Sequence, residues 1–407
     1  MQRLILFLVF GFALACATLS PTSSRTRWWK GNTHTHTLWS DGDGAPELVA
    51  DWYRSRGYHF LVLSDHNVLS EGETWFPISQ GGRLKPDQVT RLEKDFGREA
   101  VQQRNGSDGE EMRLATLLEL RERFEIPGSF RFVQGEEVTG AFGEAPVHIN
   151  GLGLDEVIQP LPGSSLLDTV QRNIDAIHAQ GKRIGKPTLA HLNHPNFGWA
   201  LSVEELAGIR GNGFIEIFNG HPFVNNYGDA THLATERAWD IALSMRMRSS
   251  NPELLFGVAS DDAHNYFSEE RTAASPGRGW VHVRAASLAC DDLIRAMLRG
   301  DFYASSGVEL TDIGTRDDSY FVDIATEPGV TYTTTFIGTR RDAIERDEMG
   351  VVLLKSTSNP ATYVFRGDEL FVRAKVTSSL AHPNPYAEGD RECAWGQPVP
   401  GPAAGVH

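Results

Sequence analysis

Short apolar runs recur along the first two thirds of the chain, and most of them end in polar residues. The runs cover residues 27–35, 58–63, 130–134, 147–152, 187–192, 214–218 and 254–259. Helical patterns lie between several of them, at 45–56 and 164–180 and after the capping-box pair Ser202 and Glu205. Strands that alternate with helices predict a parallel α/β barrel over 27–307, with its active site at the carboxyl ends of the strands.

The remaining segments break this alternation. Residues 71–128 are long for one connection, and helical patterns at 89–100 and 110–124 around a polar loop at 102–109 predict a helical insertion over the barrel mouth. That insertion either shapes substrate access or is a passive elaboration. Alternating β-like stretches predict a small antiparallel β-rich module at 308–380. The segment 381–407 is rich in Pro, Gly and Ala and predicts an irregular tail, apart from Ala394 and Trp395.

The N-terminus has the pattern of an export signal. Arg3 precedes an apolar run at 4–14, which is too short for a permanent membrane span, and small residues precede Cys16. Residues 1–16 therefore predict an exported protein of the periplasm or cell surface. A Ser/Thr/Pro-rich tether at 17–26 favours a lipoprotein anchored to the membrane through Cys16, with plain secretion and a retained anchor as alternatives.

Charge and cysteine content narrow the class of protein. The 407 residues predict one large and one smaller domain, and a formal net charge of −15 argues against a nucleic-acid polymer as partner. Beyond Cys16 only Cys290 and Cys393 remain. Each is either a buried thiol or one half of a disulfide formed outside the cytoplasm, and neither has a metal-type spacing.

The polar residues at the strand ends are rich in metal ligands. His34 and His36 alternate on one strand and therefore face the same side, and Asp41 follows them. Imidazole and carboxylate ligands without thiolate are typical of hydrolytic zinc, manganese or iron sites. A pair of surface histidines would explain this stretch alone, but the pattern recurs at the later strands. The predicted metal ligands are His34, His36, Asp41, His66, Glu137, His148, His194, Asp262 and His264.

These motifs, in this order, resemble those of the PHP (polymerase and histidinol phosphatase) metallohydrolases. The matching stretches are HTHTLWSDG at 34–42, SDHN at 64–67, GEE at 135–137 followed by His148, NHP at 193–195 and the D-x-H of Asp262 and His264. The resemblance implies a distorted seven-stranded TIM-like barrel with two to three divalent ions. Motif spacing selects Glu137 over Glu136 and Asp262 over Asp261.

The resemblance also implies how the ligands divide. His34, His36, Glu137 and Asp262 would hold the first ion, and Glu137 would bridge to a second held by His148 and His194. The third ion would be held by Asp41, His66 and His264, although Asp41 stands where some members have a histidine. VHIN at 147–150, HPNFGW at 194–199 and AWGQP at 394–398 look like a subgroup that includes carbamate-ester (carbaryl-type) hydrolases.

Further polar residues neighbour the ligands. We expect them to hydrogen-bond the ligands and fix ring tautomers, and they are His191, Asn193, Asn219, His221, Asp65 and Asp261. His191 or His221 could instead act catalytically by protonating a leaving group. Arg271 and Arg278 follow the last motif and are candidates to contact an anionic substrate.

The sequence thus predicts an exported hydrolase that uses a metal-bridging hydroxide and no amino-acid nucleophile. Its favoured substrates are small phosphomonoesters or phosphodiesters, because the resemblance and a trinuclear centre both suit phosphate. The alternative within enzymes is a carbamate or carboxylic ester. The alternative of another class is a non-catalytic, metal-containing surface protein whose C-terminal module binds a glycan or a partner.

Overall fold

The computed structural model describes residues 26–211, 213–268 and 270–404. The export signal with Cys16, and all of the tether except Thr26, lie outside these residues. The helices within them are α1 (Pro46–Ser55), α2 (Pro86–Phe96), α3 (Leu117–Phe124), α4 (Leu166–Ile184), α5 (Val203–Gly208), α6 (Thr235–Met247) and α7 (Cys290–Leu298). No helix in the described part of the chain is both long and apolar enough to cross a membrane.

Strands outnumber helices. Those in the first two thirds of the chain are β1 (Arg27–Asn32), β2 (Phe60–Leu63), β3 (Trp75–Pro77), β4 (Gln103–Gly106), β5 (Gly109–Arg113), β6 (Arg131–Phe142), β7 (Ala145–Leu152), β8 (Leu189–Leu192), β9 (Gly213–Asn219) and β10 (Leu255–Ser260). The later ones are β11 (Trp280–Ala285), β12 (Phe302–Ser305), β13 (Leu310–Arg316), β14 (Ser319–Ile324), β15 (Tyr332–Arg340), β16 (Val351–Ser356), β17 (Ala361–Val364), β18 (Glu369–Ala381), β19 (Arg391–Gly396) and β20 (Val399–Pro400).

One fourteen-stranded mixed sheet dominates the fold. Its order is β10-β9-β8-β7-β6-β2-β1-β11-β12-β19-β18-β15-β16, with β20 beside β18. Strands β1, β2 and β6 are parallel, as are β8, β9 and β10. Every residue of β2, β8 and β10 is buried, as expected where both faces of parallel strands are covered.

The predicted closed seven-stranded barrel is not confirmed, because this sheet is open. Strand β7 runs antiparallel to both β6 and β8, so it does not continue the parallel order. A tight turn at 143–144, with Gly143 at φ 59°, joins β6 directly to β7 without a helix. The α/β class and most predicted strands are correct, but one strand enters the sheet as half of a hairpin.

The free edge of β10 nevertheless approaches the other end of the parallel region. Thr35, just beyond β1, forms an isolated parallel bridge with Ala263, just beyond β10. Farther down β10, the side-chain amide of Gln397 donates to Gly257 O at 2.8 Å and accepts from Gly257 N at 2.8 Å. A glutamine side chain therefore occupies the position of a pairing strand at this edge.

The insertion at 71–128 is not purely helical. Strands β3, β5 and β4 form a small antiparallel sheet. Of the predicted helix at 110–124 only α3 is helical, and the predicted loop at 102–109 forms most of a hairpin. Gly106 pairs with Gly109 around a two-residue turn, a hairpin signal that competes with helical periodicity. Thr116 and Glu119 form the capping box that marks the true start of α3.

The C-terminal part is joined to the large sheet. Strands β15, β16 and β18 extend that sheet, whereas β13, β14 and β17 form a separate three-stranded sheet. The exception predicted for Ala394 and Trp395 extends over the whole of β19, which pairs with both β12 and β18, so the rest of that strand is not irregular as predicted. Its residues Cys393–Trp395 are buried between the parallel region of the sheet and the C-terminal strands. Cys393 and Cys290 are free thiols.

Candidate metal centre

All nine predicted ligands meet at one end of the parallel strands. Their donor atoms form four overlapping groups in which every atom lies within 4.8 Å of the others. The groups are His36, Asp41, His66 and His264; His34, Glu137 and His194; His34, His36 and Asp262; and His66, Glu137 and His148. The sharing of His34, His36, His66 and Glu137 between groups is what a centre with several neighbouring ions requires.

Glu137 lies at the middle of the cluster. Its Oε1 is 3.4 Å from His34 Nε2, 3.2 Å from His148 Nδ1 and 3.4 Å from His194 Nε2. Its Oε2 is 3.4 Å from His36 Nε2 and 2.8 Å from His66 Nδ1. One carboxylate thus reaches five imidazoles, the arrangement expected of a bridging ligand.

Two more carboxylates complete the cluster. Asp262 Oδ1 lies 3.2 Å from His34 Nε2 and 3.1 Å from His36 Nε2. Asp41, at the rim, lies 3.2 Å from His264 Nε2 and 3.5 Å from His66 Nε2. The three carboxylates are therefore spread from the buried floor of the cluster to its exposed edge.

The backbone explains why residues so distant in sequence converge. Asp262 N donates to His34 O at 3.0 Å and His36 N donates to Ala263 O at 3.0 Å, so the chain beyond β10 is fixed to the chain beyond β1. Asp262 and His194 have positive φ angles of 49° and 25°. Residues other than glycine seldom adopt this backbone conformation, and those that do are often found at functional sites.

His148 reaches the cluster by a different route. Because β7 is antiparallel, this histidine lies in the first half of its strand, and the paired residue on β6 is Thr139. The hairpin therefore supplies both Glu137 and His148 from adjacent strands. This end of the antiparallel strand coincides with the carboxyl ends of its neighbours, which is why the predicted convergence holds although the predicted strand direction does not.

The donor set fits divalent cations. Four atoms of the cluster are buried and have no hydrogen-bond partner: His34 Nε2, His36 Nε2, Glu137 Oε2 and His148 Nδ1. Leaving such groups unsatisfied is costly, and bound metal would satisfy them. Although burial opposes it, Asp262, Glu216 and Glu137 raise the pKa of His34 well above its usual value. The surrounding carboxylates thus favour positive charge at the position of His34.

Glu216 is a member of the site that the sequence analysis missed. It lies fully within β9, and its Oε1 accepts from His34 Nδ1 at 2.7 Å, which leaves His34 Nε2 free to face the cluster. Its Oε2 accepts from His194 N at 2.8 Å. Burial opposes ionisation, but His34 lowers the pKa of Glu216 to about 2. A carboxylate inside the apolar run FIEIF was the available signal.

Two of the six predicted supporting residues, Asn193 and Asn219, hydrogen-bond a ligand carboxylate. Asn193 Nδ2 donates to Glu137 Oε1 at 2.7 Å, and Asn219 Nδ2 donates to Asp262 Oδ2 at 3.1 Å. Asp261 instead accepts from the backbone of Gly279 at 2.9 Å and faces away from the cluster. Glu136 also lies outside it, where its carboxylate accepts from Ile158 N. The choices of Glu137 and Asp262 by motif spacing agree with this geometry.

The loop that carries Asp41 is braced from two sides. Asp65 accepts from Thr37 N at 2.8 Å and from Ser40 Oγ at 2.6 Å. From the insertion, Arg83 donates to Ser40 O at 2.6 Å and to Gly42 O at 2.9 Å. The insertion is therefore attached directly to the loop that carries Asp41.

The two histidines predicted as catalytic have different positions. His221 lines the cavity, and its Nδ1 accepts from Phe223 N at 3.2 Å, so a neutral ring carries its hydrogen on Nε2. Burial lowers the pKa of His221 to about 4, which favours that neutral form. His191 is fully buried beside His34, at a ring-centroid distance of 6.4 Å, and is not among the residues that line the cavity. The structure therefore does not bring His191 to a substrate.

The cavity over the ligands is small. It has a volume of about 190 Å³ and is lined by Asp41, His66, Glu137, His148, His194, Phe197, His221, Val224, Asp262 and His264. None of these lining residues is an arginine or lysine. Arg278, a candidate substrate contact, is buried and donates to Gly220 O at 2.8 Å and Ala273 O at 2.8 Å. It holds loops in place and does not reach the cavity.

Comparison with known proteins gave only distant structural matches. No protein-family model matches the sequence, and no curated protein matches it. A two-domain protein from Bacteroides vulgatus, containing a predicted PHP-like metal-dependent phosphoesterase, is 15% identical with a TM-score of 0.40 over 92% of this chain and 95% of its own. A candidate metal-dependent phosphoesterase from Bifidobacterium adolescentis is 15% identical with a TM-score of 0.28, covering 57% and 87%.

A third match is an amidohydrolase from Chromobacterium violaceum with bound sulfate and no metal. It is 15% identical with a TM-score of 0.31, and the match covers 67% of this chain and 96% of its own. The functional assignment therefore depends on the residues of the site itself. Fold and site together define a mixed α/β protein with a candidate multinuclear metal centre.

Proposed function

We propose that this protein is an exported, metal-dependent hydrolase of the PHP type that acts on small phosphomonoesters or phosphodiesters. The observation that carries the proposal is the convergence of nine imidazole and carboxylate ligands around one cavity, with four buried donor atoms that lack hydrogen-bond partners. Such a donor set, without thiolate and open to a cavity, is typical of a hydrolytic centre holding zinc, manganese or iron.

Two or three divalent ions bound there would acidify a water molecule and polarise the ester oxygen. The chain's own residues supply the remaining functions. Glu216 fixes His34 in the tautomer that presents Nε2 to the cluster, and Asn193 orients Glu137. His221 offers an Nε2–H donor from the cavity wall, where it can hydrogen-bond the oxygen of the leaving group. No serine, threonine or cysteine lines the cavity, in keeping with direct attack by water.

Charge favours phosphate as the reacting group. Three ligand carboxylates, Asp41, Glu137 and Asp262, and the carboxylate of Glu216 behind them bring four negative charges to the site. Two divalent ions would balance these charges, and a third would leave a positive site suited to an anionic ester. A phosphate group can therefore be recognised here without a basic side chain.

A second candidate is a carbamate or carboxylic ester. The observation that favours it is the lining of the cavity, which contains Phe197 and Val224 but no arginine or lysine. A neutral ester needs the same activated water but gains less from a positive site. The two candidates therefore differ in the substrate that the loaded protein prefers.

A matched panel separates these candidates from a binding protein. Purified protein lacking residues 1–25 is stripped of metal, restored with manganese, zinc or iron, and tested on an aryl phosphate, an aryl phosphodiester, an aryl carboxylate and an aryl carbamate. We expect metal-restored hydrolysis of the phosphate esters. Preference for the carboxylate or carbamate would select the second candidate. Metal binding without hydrolysis of any ester would favour the non-catalytic surface protein and contradict the proposal.

Export belongs to the same proposal. We infer from residues 1–16 that the chain leaves the cytoplasm, with Cys16 as its lipid anchor. Fatty-acid labelling of the full chain, compared with Cys16→Ser, tests the anchor. Label in the wild type alone is expected; release of an unlabelled, shortened wild-type protein would instead show plain secretion.

A further inference from the structure

We propose that the natural substrate has an apolar leaving group, which lies against the phenyl ring of Phe223 beside the cavity. This inference rests on the proposed hydrolase function and names the class of substrate for the same site: an ester of an apolar, preferably aromatic, alcohol. The subsite is defined as Phe223 together with the cavity residues Phe197, Val224 and His221.

The size of the cavity requires a second surface. About 190 Å³ lies among the ligands, and it must hold the ions, a water molecule and the reacting ester group. The leaving group of any but the smallest substrate therefore extends past the cavity wall. The residues at that wall that are not metal ligands are Phe197, His221 and Val224.

Phe223 adjoins that wall through its contacts with His221. Its ring packs edge-to-face against the ring of His221 with centroids 5.2 Å apart, and its backbone N–H bonds His221 Nδ1. The side chain is nevertheless 71% exposed. Single exposed apolar residues are common, but this one adjoins the hydrogen-bond donor proposed for the leaving oxygen. The donor and an apolar surface are thus adjacent along the chain.

The other side of the cavity is apolar as well. Phe197 packs edge-to-face on His194 with centroids 5.2 Å apart and lies 6.3 Å from the ring of His148. With Val224 it provides apolar contact close to the ligands, while Phe223 continues that contact outward. A leaving group of polar or charged character would find no lysine or arginine among these lining residues.

The loop that carries the subsite is fixed before a substrate binds. Asn226 exchanges two hydrogen bonds with the backbone of Asn219, at 3.1 and 2.7 Å. Tyr386 from the C-terminal segment donates to Val224 O, and Tyr227 donates to Asp390 at 2.7 Å. An apolar surface held in this way need not be ordered on binding, so its contacts contribute to affinity and specificity.

A homologous series of phosphate esters tests the proposal. Phenyl phosphates with 4-hydrogen, 4-methyl, 4-ethyl and 4-propyl groups add apolar area while changing the acidity of the leaving phenol little. We expect kcat/KM of the metal-loaded protein to rise by roughly two- to fourfold per added carbon, the value for partial to full burial of a methylene. In Phe223→Ala this dependence on chain length should flatten, and in Phe223→Leu it should largely return. The control is Ile344→Ala, a residue of the C-terminal part that is 77% exposed, and there the dependence should be unchanged.

Binding of the matching 4-alkylbenzylphosphonates, which cannot be hydrolysed, is measured by calorimetry on the same proteins. A chain-length dependence of affinity that needs Phe223 supports the subsite even if no ester is cleaved, and in that case the hydrolase function fails alone. Hydrolysis without any dependence on chain length, or with the same dependence in Phe223→Ala, overturns the subsite and leaves the hydrolase function intact. Absence of both effects overturns both.

Discussion

Two buried clusters of charged and ionisable groups can be compared within this molecule. Where α6 meets β18, Arg373 is 1% exposed and bonds Asp240 at 2.6 and 2.7 Å and Glu236 at 3.0 Å. Lys375 donates to Glu236 at 2.6 Å. The carboxylates at this junction are thus matched by cations from the chain. In the ligand cluster, Glu137 and Asp262 instead face imidazoles and the side-chain amides of Asn193 and Asn219.

The comparison teaches how a structural ion cluster differs from a functional one. At the junction, burial raises the pKa of Glu236, but Lys375 and Arg373 outweigh it and lower this pKa to about 2. The carboxylate is thus stabilised by partners that are always present. In the ligand cluster four buried atoms make no hydrogen bond, whereas at the junction Arg373 Nη1 is the one such atom among Glu236, Asp240, Arg373 and Lys375. The chain therefore supplies its own counter-charges at the junction, whereas in the ligand cluster the proposed metal ions would supply them.

The largest effect expected from breaking this contrast is loss of the shared carboxylate. Glu137→Gln removes the charge that reaches five imidazoles, and metal catalysis contributes several kcal/mol, so kcat/KM on the best ester should fall by roughly 10³-fold or more. Glu136→Gln is the matched control, because that neighbour is also buried but contacts Ile158 N outside the cluster. Equal losses in the two variants would contradict the assignment.

The next effect is on stability. Arg373→Ala leaves Asp240 buried without its cation, and breaking a buried pair typically costs about 3–5 kcal/mol in the free energy of unfolding. Denaturant unfolding measures this change. As control, Arg183→Ala removes an exposed pair with Glu156 and should change the free energy of unfolding by at most about 1 kcal/mol. A stability loss no larger than the control's would show that the junction is not a structural joint.

A smaller effect is expected from the carboxylate behind the ligands. Glu216→Gln keeps the shape but weakens the bond that orients His34, and loss of such a partner typically lowers metal affinity by about 10- to 100-fold. Competition with a chromogenic chelator measures the affinity for zinc and manganese. Unchanged affinity in the folded variant would mean that His34 is oriented without Glu216.

The smallest effect is expected from the contact between the C-terminal segment and the cavity wall, which joins Tyr386 to Val224. Tyr386→Phe removes one hydrogen bond to Val224 O, worth about 1 kcal/mol, and should lower kcat/KM by a few-fold while leaving metal affinity unchanged. Kinetics and metal titration on the same preparation separate these two readouts. A parallel loss of metal affinity would mean that the C-terminal segment supports the ligands and not the cavity wall.

Local patterns predicted the ligand cluster well. Most ligands follow an apolar strand, and an apolar run followed by polar residues marks such a strand end, whereas Glu137 and His148 lie within β6 and β7. Glu216 escaped because it interrupts an apolar run from within β9 and has no motif of its own. His191 was misleading because its position in a strand does not reveal that its ring lies beneath His34, away from the cavity.

The architecture was harder to predict, because pairing between distant strands decides it. Strand β7 has the composition of its parallel neighbours, and only the turn at Gly143 indicates a hairpin. Strand β19 lies in a Pro- and Gly-rich segment, and its pairing with β12 and β18 depends on residues ten or more positions away in each case. Periodicity along one segment carries no information on such partners.

Metal content tests the central claim most directly. Wild-type protein and Glu137→Gln are stripped with chelator, incubated separately with manganese, zinc and iron, desalted, and analysed by mass spectrometry for bound metal. The account predicts two to three divalent ions per wild-type chain and at least one ion fewer in the variant. A wild-type chain that retains no ion, or a variant that retains as many as the wild type, would contradict the claim that these nine residues form a metal centre bridged by Glu137.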